Sequence, residues 1–189
     1  LKNADYEAAL KYQHAFGFPT KFHIHAGMAR DWPDGRGFYS NKDDSLQVWV
    51  NAWDHIWIIS KGLDVQDVFT RLSKAAWALE TSLQERGHSF VEDPRLGFLN
   101  SSPVDIGTAL RASVRVKLVR LSQHTSALEE LSRRLRLEVK QVSTGIFDIA
   151  NEQALGRSEV ELINVMINGV RTLIDLEKRL EKGEDLSYD

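Results

Sequence analysis

The pattern of apolar and polar positions predicts three short strands in the first third of the chain. Residues 38–41, 46–52 and 55–60 are rich in the β-branched and aromatic side chains that strands prefer. Polar residues at 42–45 form the first turn between them, and residues 51–54 form the second. Both turns are too short for a crossover connection, so these strands are predicted to pair antiparallel.

Helical spacing of apolar residues predicts three helices further along the chain. The first follows the N-cap Asp64, and Gly87 occupies its C-terminal cap position. The other two open on capping boxes, at residues 126–129 and 158–161, and the last of them ends at Gly183.

Strict alternation returns between residues 110 and 118. The apolar side chains of this segment share one face of a predicted strand, and the other face carries Arg111, Ser113, Arg115 and Lys117. Two more strands are predicted at 137–142 and 146–150. Near the start of the chain, residues 5–16 have helical spacing and residues 21–25 are predicted to be extended.

The predicted strands outnumber the helices, and most neighbouring strands are joined by short turns. This pattern favours an α+β fold, a mainly antiparallel β-sheet flanked by α-helices. The length of 189 residues fits one domain, and no repeat, low-complexity tract or linker divides the sequence. We therefore predict a single domain over residues 1–189.

Composition excludes several classes of function. The chain is 42% hydrophobic and 27% charged with a net charge of -3, so it lacks the clustered basic charge expected of a nucleic-acid-binding protein. It contains no cysteine, which excludes a disulfide framework or a thiolate metal site. No uncharged apolar run reaches the length of a membrane span, so we expect no direct insertion into a membrane.

Several segments resemble, in order, the motifs of one known family. The segments lie at residues 27–37, 48–51 with 54–55, 106–113, 147–151 and 155–162, and residues 96–99 resemble the LGYL segment of the same family. They are similar to the GMARDWPDARG, VWVNEEDH, LGT-LRAS, FDISN and LG-SEVEL segments of the ATP:guanidino phosphotransferases, the phosphagen kinases that include creatine and arginine kinases. The resemblance implies the catalytic-domain fold that guanidino kinases share with glutamine synthetase.

The resemblance also sets expectations about the extent of the domain. It covers residues 14–182, which leaves residues 1–13 as an N-terminal extension and 184–189 as a tail. A full family member also carries a small helical N-terminal domain and an arginine-rich phosphate-binding strand. The sequence contains no match to either, so we expect a catalytic domain truncated on its N-terminal side.

Phosphoryl transfer to a guanidinium requires a carboxylate that orients the substrate and accepts its proton. The family's Asn-Glu-Glu-Asp-His is similar to Asn51-Ala52-Trp53-Asp54-His55 here, so both glutamates are replaced. Trp53 occupies the position of the base, and an indole cannot accept a proton or pair with a guanidinium. Loss of a general base typically lowers the rate by about 100- to 10,000-fold.

The arginines that hold the phosphates in this family are also depleted. Trp57 occupies the position of one arginine, whereas Arg111 matches the arginine of the LRA segment. Each transition-state arginine can contribute a rate factor of about 1,000 or more. Ser102 takes the place of the family's reactive cysteine, and the lid loop before residue 147 is shortened and lacks its arginine.

The resemblance leaves a vestigial site for MgATP or MgADP. Its residues are Arg111, Arg115, Asp148 and His14, where His14 matches a nucleotide-contacting histidine at a shortened spacing. The basic stripe beginning at Arg111 either binds a nucleotide phosphate or another anion, or is an ordinary solvated, salt-bridged face. We predict no required cofactor.

Two other residue groups have alternative interpretations. Trp49, Trp53 and Trp57 form either an aromatic ligand pocket or, more commonly for tryptophan, part of a core or an interface. His23 and His25 would share one face of an extended segment, but a metal site needs further ligands, and we predict none.

These features lead to one main hypothesis and two alternatives. The main hypothesis is a catalytically inactive phosphagen-kinase-like protein that acts as a structural subunit, with protein partners covering the truncated sheet and Trp53 and Trp57 in a hetero-oligomeric complex. The alternatives are a nucleotide-binding regulator and a fragment of an active kinase. By analogy with the family, we expect a mitochondrial or cytoplasmic protein.

Overall fold

The computed structural model describes residues 19–32, 34–52 and 54–185. The chain divides into two compact units, residues 1–91 and 92–189, and each is described by itself. The helix expected at 5–16 and the residues His14 and Trp53 lie outside the described residues. Within the described part of the chain, no helix is both long and apolar enough to cross a membrane.

The first unit contains a three-stranded antiparallel sheet and two helices. Its elements are α1 (Lys21–His25), β1 (Gly37–Ser40), β2 (Leu46–Val50), β3 (Ile56–Ser60) and α2 (Val65–Gln84). The strand order is β1-β2-β3, so every strand pairs with its neighbour in sequence. The strands and tight turns predicted from the apolar pattern are confirmed.

The extended segment predicted at residues 21–25 is wrong, because these residues form the short helix α1. Thr20 caps this helix in a capping box, in which its hydroxyl accepts the His23 N–H and the His23 ring contacts the Thr20 backbone. In a helix, positions two apart point in widely different directions, so His23 and His25 do not share a face as they would in a strand.

Both ends of α2 are stabilised as the sequence predicts. The Asp64 carboxylate accepts the Asp67 backbone N–H at 2.9 Å. After the helix, Gly87 has a φ of +76°, and the N–H groups of Gly87 and His88 donate to the carbonyls of Gln84 and Leu83. This is the Schellman arrangement of a glycine-terminated helix.

The second unit holds two antiparallel sheets. A two-stranded sheet pairs β4 (Glu92–Asp93) with β5 (Gly97–Phe98), and a three-stranded sheet has the order β6-β8-β7. The remaining elements are β6 (Ser113–Lys117), α3 (Thr125–Leu135), β7 (Leu137–Ser143), β8 (Ile146–Asn151), α4 (Glu159–Glu181) and two 3₁₀ turns at Pro103–Asp105 and Leu121–Gln123. The predicted α+β class and antiparallel pairing are confirmed.

The core of the second unit is built mainly from leucine. The three-stranded sheet contributes Phe147 and Ile149 to one face, and α3 and α4 pack against that face. The fully buried leucines include Leu118, Leu121 and Leu173. As the alternating pattern predicts, the opposite face of β6 is exposed.

Two details of the second unit differ from the sequence prediction. Strand β6 begins at Ser113 rather than at residue 110, and the preceding segment is bonded by the Asn151 side chain through the Leu110 carbonyl and the Ala112 N–H. The capping box predicted at residues 126–129 is wrong, since α3 begins at Thr125 and its N-cap His124 makes no side-chain capping bond. The second capping box is confirmed, with Ser158 and Glu161 exchanging both bonds at the start of α4.

A buried carboxylate connects α4 to the turn that follows β6. The Glu177 side chain is 5% exposed, and its two oxygens accept the backbone N–H groups of Arg120 and Leu121 at 2.8 and 2.7 Å. These N–H groups lie at the start of the 3₁₀ turn Leu121–Gln123, where they have no partner within the turn. The carboxylate therefore caps this turn and attaches it to the helix.

Candidate functional site

The loop between β2 and β3 contains the position that the family resemblance assigns to the catalytic base. Asn51 has a φ of +55°, its amide donates to the Gly35 carbonyl at 2.7 Å, and its side-chain oxygen lies 3.2 Å from His55 Nδ1. The Asn51 N–H also donates to the His55 carbonyl at 3.0 Å. Asparagine tolerates the left-handed conformation, so this residue closes the loop on itself.

Chemically, the described part of this loop is poor in groups that could accept a proton from a guanidinium. Ala52 is half-buried and has no polar side chain. Asp54 retains a carboxylate, but its Oδ1 accepts the backbone N–H of the adjacent His55 at 2.8 Å. The Asp54 side chain is therefore used in shaping the loop.

A row of aromatic residues crosses the sheet of the first unit. Trp49 on β2 is directly opposite Phe38 on β1 and Trp57 on β3, so all three lie on one sheet face. The Phe38 and Trp49 rings meet edge to face with centroids 4.4 Å apart. Trp49 is 9% exposed, whereas Trp57 is 42% exposed. Trp49 thus packs in the interior, and Trp57 presents an indole at the surface.

In the second unit, the open face of the three-stranded sheet carries most of the residues predicted to bind a nucleotide. Arg115 on β6 is opposite Asp148 on β8, which is in turn opposite Lys140 on β7. Arg115, Lys117 and Lys140 are exposed. Among the described residues, none of these three cations has a carboxylate within 4 Å. We call this surface, formed by Arg111, Arg115, Lys117, Glu138, Lys140 and Asp148, the basic face.

Arg111 differs from the other cations because it is already paired. Its guanidinium forms an ion pair with Glu138 on β7, and its Nη2 lies 3.9 Å from Asp148 Oδ2. The Arg111 side chain is 42% exposed, so its pairs face solvent and each contributes little stability. They nevertheless occupy the guanidinium that matches the family's phosphate ligand.

Asn151 fixes the backbone on both sides of Arg111. Its side-chain oxygen accepts the Ala112 N–H at 2.7 Å, and its amide donates to the Leu110 carbonyl at 3.0 Å. Asn151 is 5% exposed, so these bonds are shielded from water. The Asn151 backbone N–H also donates to the Ala112 carbonyl at 3.3 Å, so one residue of β8 holds the segment that carries Arg111.

Ser102 lies in a loop whose base is closed by backbone contacts. Phe98 and Gly107 exchange two backbone hydrogen bonds, of 2.8 and 3.2 Å, and the Asn100 amide donates to the Asp105 carbonyl at 2.7 Å across the loop. Ser102 precedes the turn Pro103–Asp105, and its hydroxyl makes no capping bond to that turn. The loop therefore holds a hydroxyl where the family has a thiol, and a hydroxyl is ionised far less readily.

The connection between β7 and β8 is short. Only Thr144 and Gly145 separate the two strands, and Gly145 adopts a φ of +69°. A two-residue hairpin has no length to fold over a bound substrate as a lid. The predicted shortening of this loop agrees with the structure.

Metal binding is not supported by any cluster of ligands in the described part of the chain. Among the described residues, no group of three or more histidines and carboxylates is arranged to hold a metal ion. The predicted contact of His14 with a nucleotide stays a prediction, because that residue lies outside the described ranges.

Comparison with known proteins places this geometry in a family. Residues 8–180 match the family model of the ATP:guanido phosphotransferase C-terminal catalytic domain. The chain belongs to this family. The structural neighbours agree: a lombricine kinase crystal structure superposes with a TM-score of 0.84 at 32% identity, covering 99% of this chain and 54% of the other.

Individual phosphagen kinases are similar to the chain over a large part of its length. The testis isozyme of creatine kinase from Oncorhynchus mykiss is 42% identical over 170 residues, and the B-type creatine kinase from Gallus gallus is 41% identical over the same length. Each match covers 85% of this chain but 44% of the relative. The duplicated taurocyamine kinase from Schistosoma mansoni, solved with transition-state-analogue components, has a TM-score of 0.80 at 34% identity over 96% of this chain and 26% of its own. The chain thus spans under half the length of these creatine kinases.

The structure also reveals contacts that the sequence analysis missed. Glu138 and Asn151 bond the Arg111 segment, and Lys140 lies opposite Asp148 on the same sheet face, yet none of the three was singled out as a site residue. Glu138 and Lys140 could have been found from their alternation along β7, which puts both on one face. Assigning them to the face that holds Arg111 required the register of β7 on β8.

Proposed function

We propose that this phosphagen-kinase-like domain is catalytically inactive and serves as a structural or assembly subunit of a larger complex. The observation that carries the proposal is the loop from Asn51 to His55, in which alanine and tryptophan replace the two family glutamates. Its one carboxylate, Asp54, accepts a backbone hydrogen bond from its neighbour. Without a free carboxylate at this position, a guanidinium is neither oriented nor deprotonated.

Two further features support inactivity. Trp57 replaces a family arginine and exposes an indole rather than a cation, and the hairpin after β7 is too short for a lid. Losses of this kind combine, although groups that act as a unit are not additive. A phosphoryl-transfer assay with creatine, arginine, taurocyamine and lombricine tests this part of the proposal. We expect no turnover above background, and turnover near that of an active creatine kinase assayed in parallel would disprove it.

The subunit role is supported by the surface of the first unit. A 42%-exposed tryptophan next to the buried Trp49 is the type of side chain that anchors protein interfaces. In the native assembly, we expect Trp57→Ala to release the chain from its complex in sedimentation velocity. Trp77→Ala removes an equally large indole that is 70% exposed on α2, and it is the matched control. A native chain that sediments as a lone monomer would contradict the subunit role.

A nucleotide-binding regulator is the second candidate, and the basic face is the observation that favours it. Arg115, Lys117 and Lys140 are exposed cations without an ion pair among the described residues. Phosphate oxygens form charge-assisted hydrogen bonds with such groups. Calorimetry with MgADP at millimolar concentration tests the candidate, and an absence of binding heat would exclude it.

The third candidate is a fragment of an active ATP:guanido phosphotransferase, which fits the partial coverage of the creatine kinases. It requires activity in the natural full-length protein despite the residues at positions 52 and 53. The phosphoryl-transfer assay on that protein distinguishes it from the first candidate. By analogy with the family, we place the protein in the mitochondrion or the cytoplasm, which immunolocalisation tests.

A further inference from the structure

We propose that a pocket in the second unit, formed around the segment that joins β8 to α4, binds a short aliphatic carboxylate. The pocket uses no residue of the loop from Asn51 to His55 or of the basic face, so the inference goes beyond the proposed function and does not depend on it. The pocket has a volume of about 110 Å³, and its lining includes two arginines, one carboxylate and three apolar side chains: Arg136, Arg157, Glu152, Leu155, Leu162 and Val165. We call it the arginine pocket.

The two arginines of this pocket are not neutralised by partners. Among the described residues, neither Arg136 nor Arg157 forms an ion pair, and this includes any pair with Glu152 in the same lining. Glu161 is also near. Hydrogen bonds from Ser158, and to a smaller extent the charge of Arg157, lower the pKa of Glu161, and those bonds hold its carboxylate at the cap of α4. The lining itself has two cations against one carboxylate, so it favours an anionic ligand.

Arg136 is an arginine at a backbone position that favours glycine. It follows the last residue of α3 and has a φ of +57° and a ψ of +45°, the left-handed conformation that glycine most often supplies at the end of a helix. Any residue with a Cβ is less stable than glycine in this conformation, so folding alone does not favour arginine here. The place of Arg136 in the lining of the arginine pocket gives its side chain a role in binding.

The apolar part of the lining sets the size and shape of the ligand. Leu162 is 2% exposed and Val165 is half-buried, both near the start of α4, whereas Leu155 is 47% exposed. Because an apolar cavity of about 150 Å³ holds the six heavy atoms of benzene, a pocket of about 110 Å³ fits four or five. A propionate group has five heavy atoms and combines a carboxylate with a short hydrocarbon chain.

Propionate also suits the chemistry of the two kinds of lining. A guanidinium donates charge-assisted hydrogen bonds to a carboxylate, and the fork of an arginine matches its two oxygens. The hydrocarbon chain would cover the leucine and valine surface, which inorganic phosphate would leave in contact with water. The same group occurs in free short-chain acids and in the side chain of glutamate on a protein partner.

The experiment is an NMR titration of the isotopically labelled 189-residue chain with sodium propionate, at an ionic strength held constant with sodium chloride. We expect the amide signals of residues 152–157 to move with a dissociation constant in the millimolar range, as suits so small a ligand. Propionamide has the same shape without the charge and should bind at least about tenfold more weakly. Arg136→Gln and Arg157→Gln should each weaken propionate binding about fivefold or more, because each removes a charge-assisted contact.

Two further variants separate binding from folding and from net charge. Arg171→Gln removes an exposed arginine of α4 that does not line the pocket, and it should leave propionate binding unchanged. Arg136→Gly should weaken binding as Arg136→Gln does, but it should raise the thermal midpoint, since glycine suits the left-handed conformation. A lower midpoint for Arg136→Gly would show that Arg136 supports the fold, and it would overturn the role assigned to this side chain.

The remaining outcomes decide whether the pocket recognises a carboxylate and from which source. If propionamide binds as tightly as propionate, if neither arginine variant weakens binding, or if about 100 mM propionate moves no signal of residues 152–157, the inference is overturned. N-acetylglutamate N-methylamide is the second probe, because it presents the same group on a peptide backbone. Binding of both probes supports a glutamate side chain of a protein partner as the ligand, and binding of propionate alone supports a free acid.

Discussion

Replacing Glu177 with alanine should destabilise the second unit by removing the cap of the turn Leu121–Gln123. The carboxylate accepts two backbone N–H groups, from Arg120 at 2.8 Å and from Leu121 at 2.7 Å. Alanine leaves both donors without this acceptor. Leu121 is fully buried, so water does not readily replace the lost bond at that residue.

The magnitude follows from these two bonds. A hydrogen bond to a charged acceptor contributes about 1.5–3 kcal/mol, and an unsatisfied buried N–H costs about 1–3 kcal/mol. Because the Arg120 N–H is only partly buried, the expected loss is about 3 kcal/mol rather than the sum of two full penalties. Glu177→Gln retains one acceptor oxygen and should lose about half as much.

The distribution of aromatic residues provides an assay that resolves the two units. All five tryptophans lie in the first unit, at positions 32, 49, 53, 57 and 77. Tryptophan fluorescence therefore follows unfolding of the first unit, whereas far-ultraviolet circular dichroism follows both. With a urea m-value of about 2 kcal/mol/M, the loss should move the midpoint of the second unit by about 1.5 M in circular dichroism.

The matched control is Asp175→Ala, which removes an exposed carboxylate two positions earlier on α4. It should shift the midpoint by less than about 0.3 M, as expected for a surface substitution. If Glu177→Ala and Asp175→Ala have the same midpoint within error, Glu177 does not cap the turn and the reasoning is refuted.

Two further predictions concern glycine packing and a titratable cap. Gly107→Ala should destabilise the second unit by about 3 kcal/mol, because a Cβ there would lie 2.5 Å from the Ala154 carbonyl oxygen at a φ of +118°. Gly156 also has a positive φ, of +80°, but no atom lies within 4 Å of the position that a Cβ would take, so Gly156→Ala should lower the free energy of unfolding by only about 1 kcal/mol. Equal urea midpoints for the two variants would contradict the packing argument. Hydrogen bonds from the Ser158 backbone and hydroxyl lower the pKa of Glu161, so folding favours the ionised carboxylate. The stability that this carboxylate contributes is therefore lost as the pH falls through the lowered pKa. Ser158→Ala removes the hydroxyl bond but keeps the backbone N–H, so it should raise the Glu161 pKa part of the way toward its ordinary value in an NMR titration. An unchanged pKa would exclude the Ser158 hydroxyl as one of its causes.

The sequence predicted most helices and strands correctly because their ends are set by hydrogen bonds between residues that are close in sequence. The caps at Asp64, Gly87 and Ser158 depend on neighbours within a few residues, and all three were predicted correctly. The misassigned segment at residues 21–25 illustrates the limit of this approach. Thr20 and His23 form a reciprocal cap there, and histidine is not part of the usual capping-box signature.

The candidate site was less predictable because its contacts join residues that are distant in sequence. Arg111 pairs with Glu138 and Asp148, and both pairs depend on the registers of β6, β8 and β7. A shift of one residue in either register would put these side chains on opposite faces of the sheet. The alternating pattern correctly assigned Arg111 to the polar face, but it contained no information about which carboxylates would meet it.

The loop that carries Ser102 is closed at its base by Phe98 and Gly107, and it provides a suitable position for a spectroscopic label. The chain contains no cysteine, so Ser102→Cys would introduce a single thiol for a maleimide dye. Backbone hydrogen bonds between Phe98 and Gly107 close the loop independently of the side chain at position 102. A fluorophore attached there would therefore report on ligands or subunits that approach this segment, without a background of competing thiols.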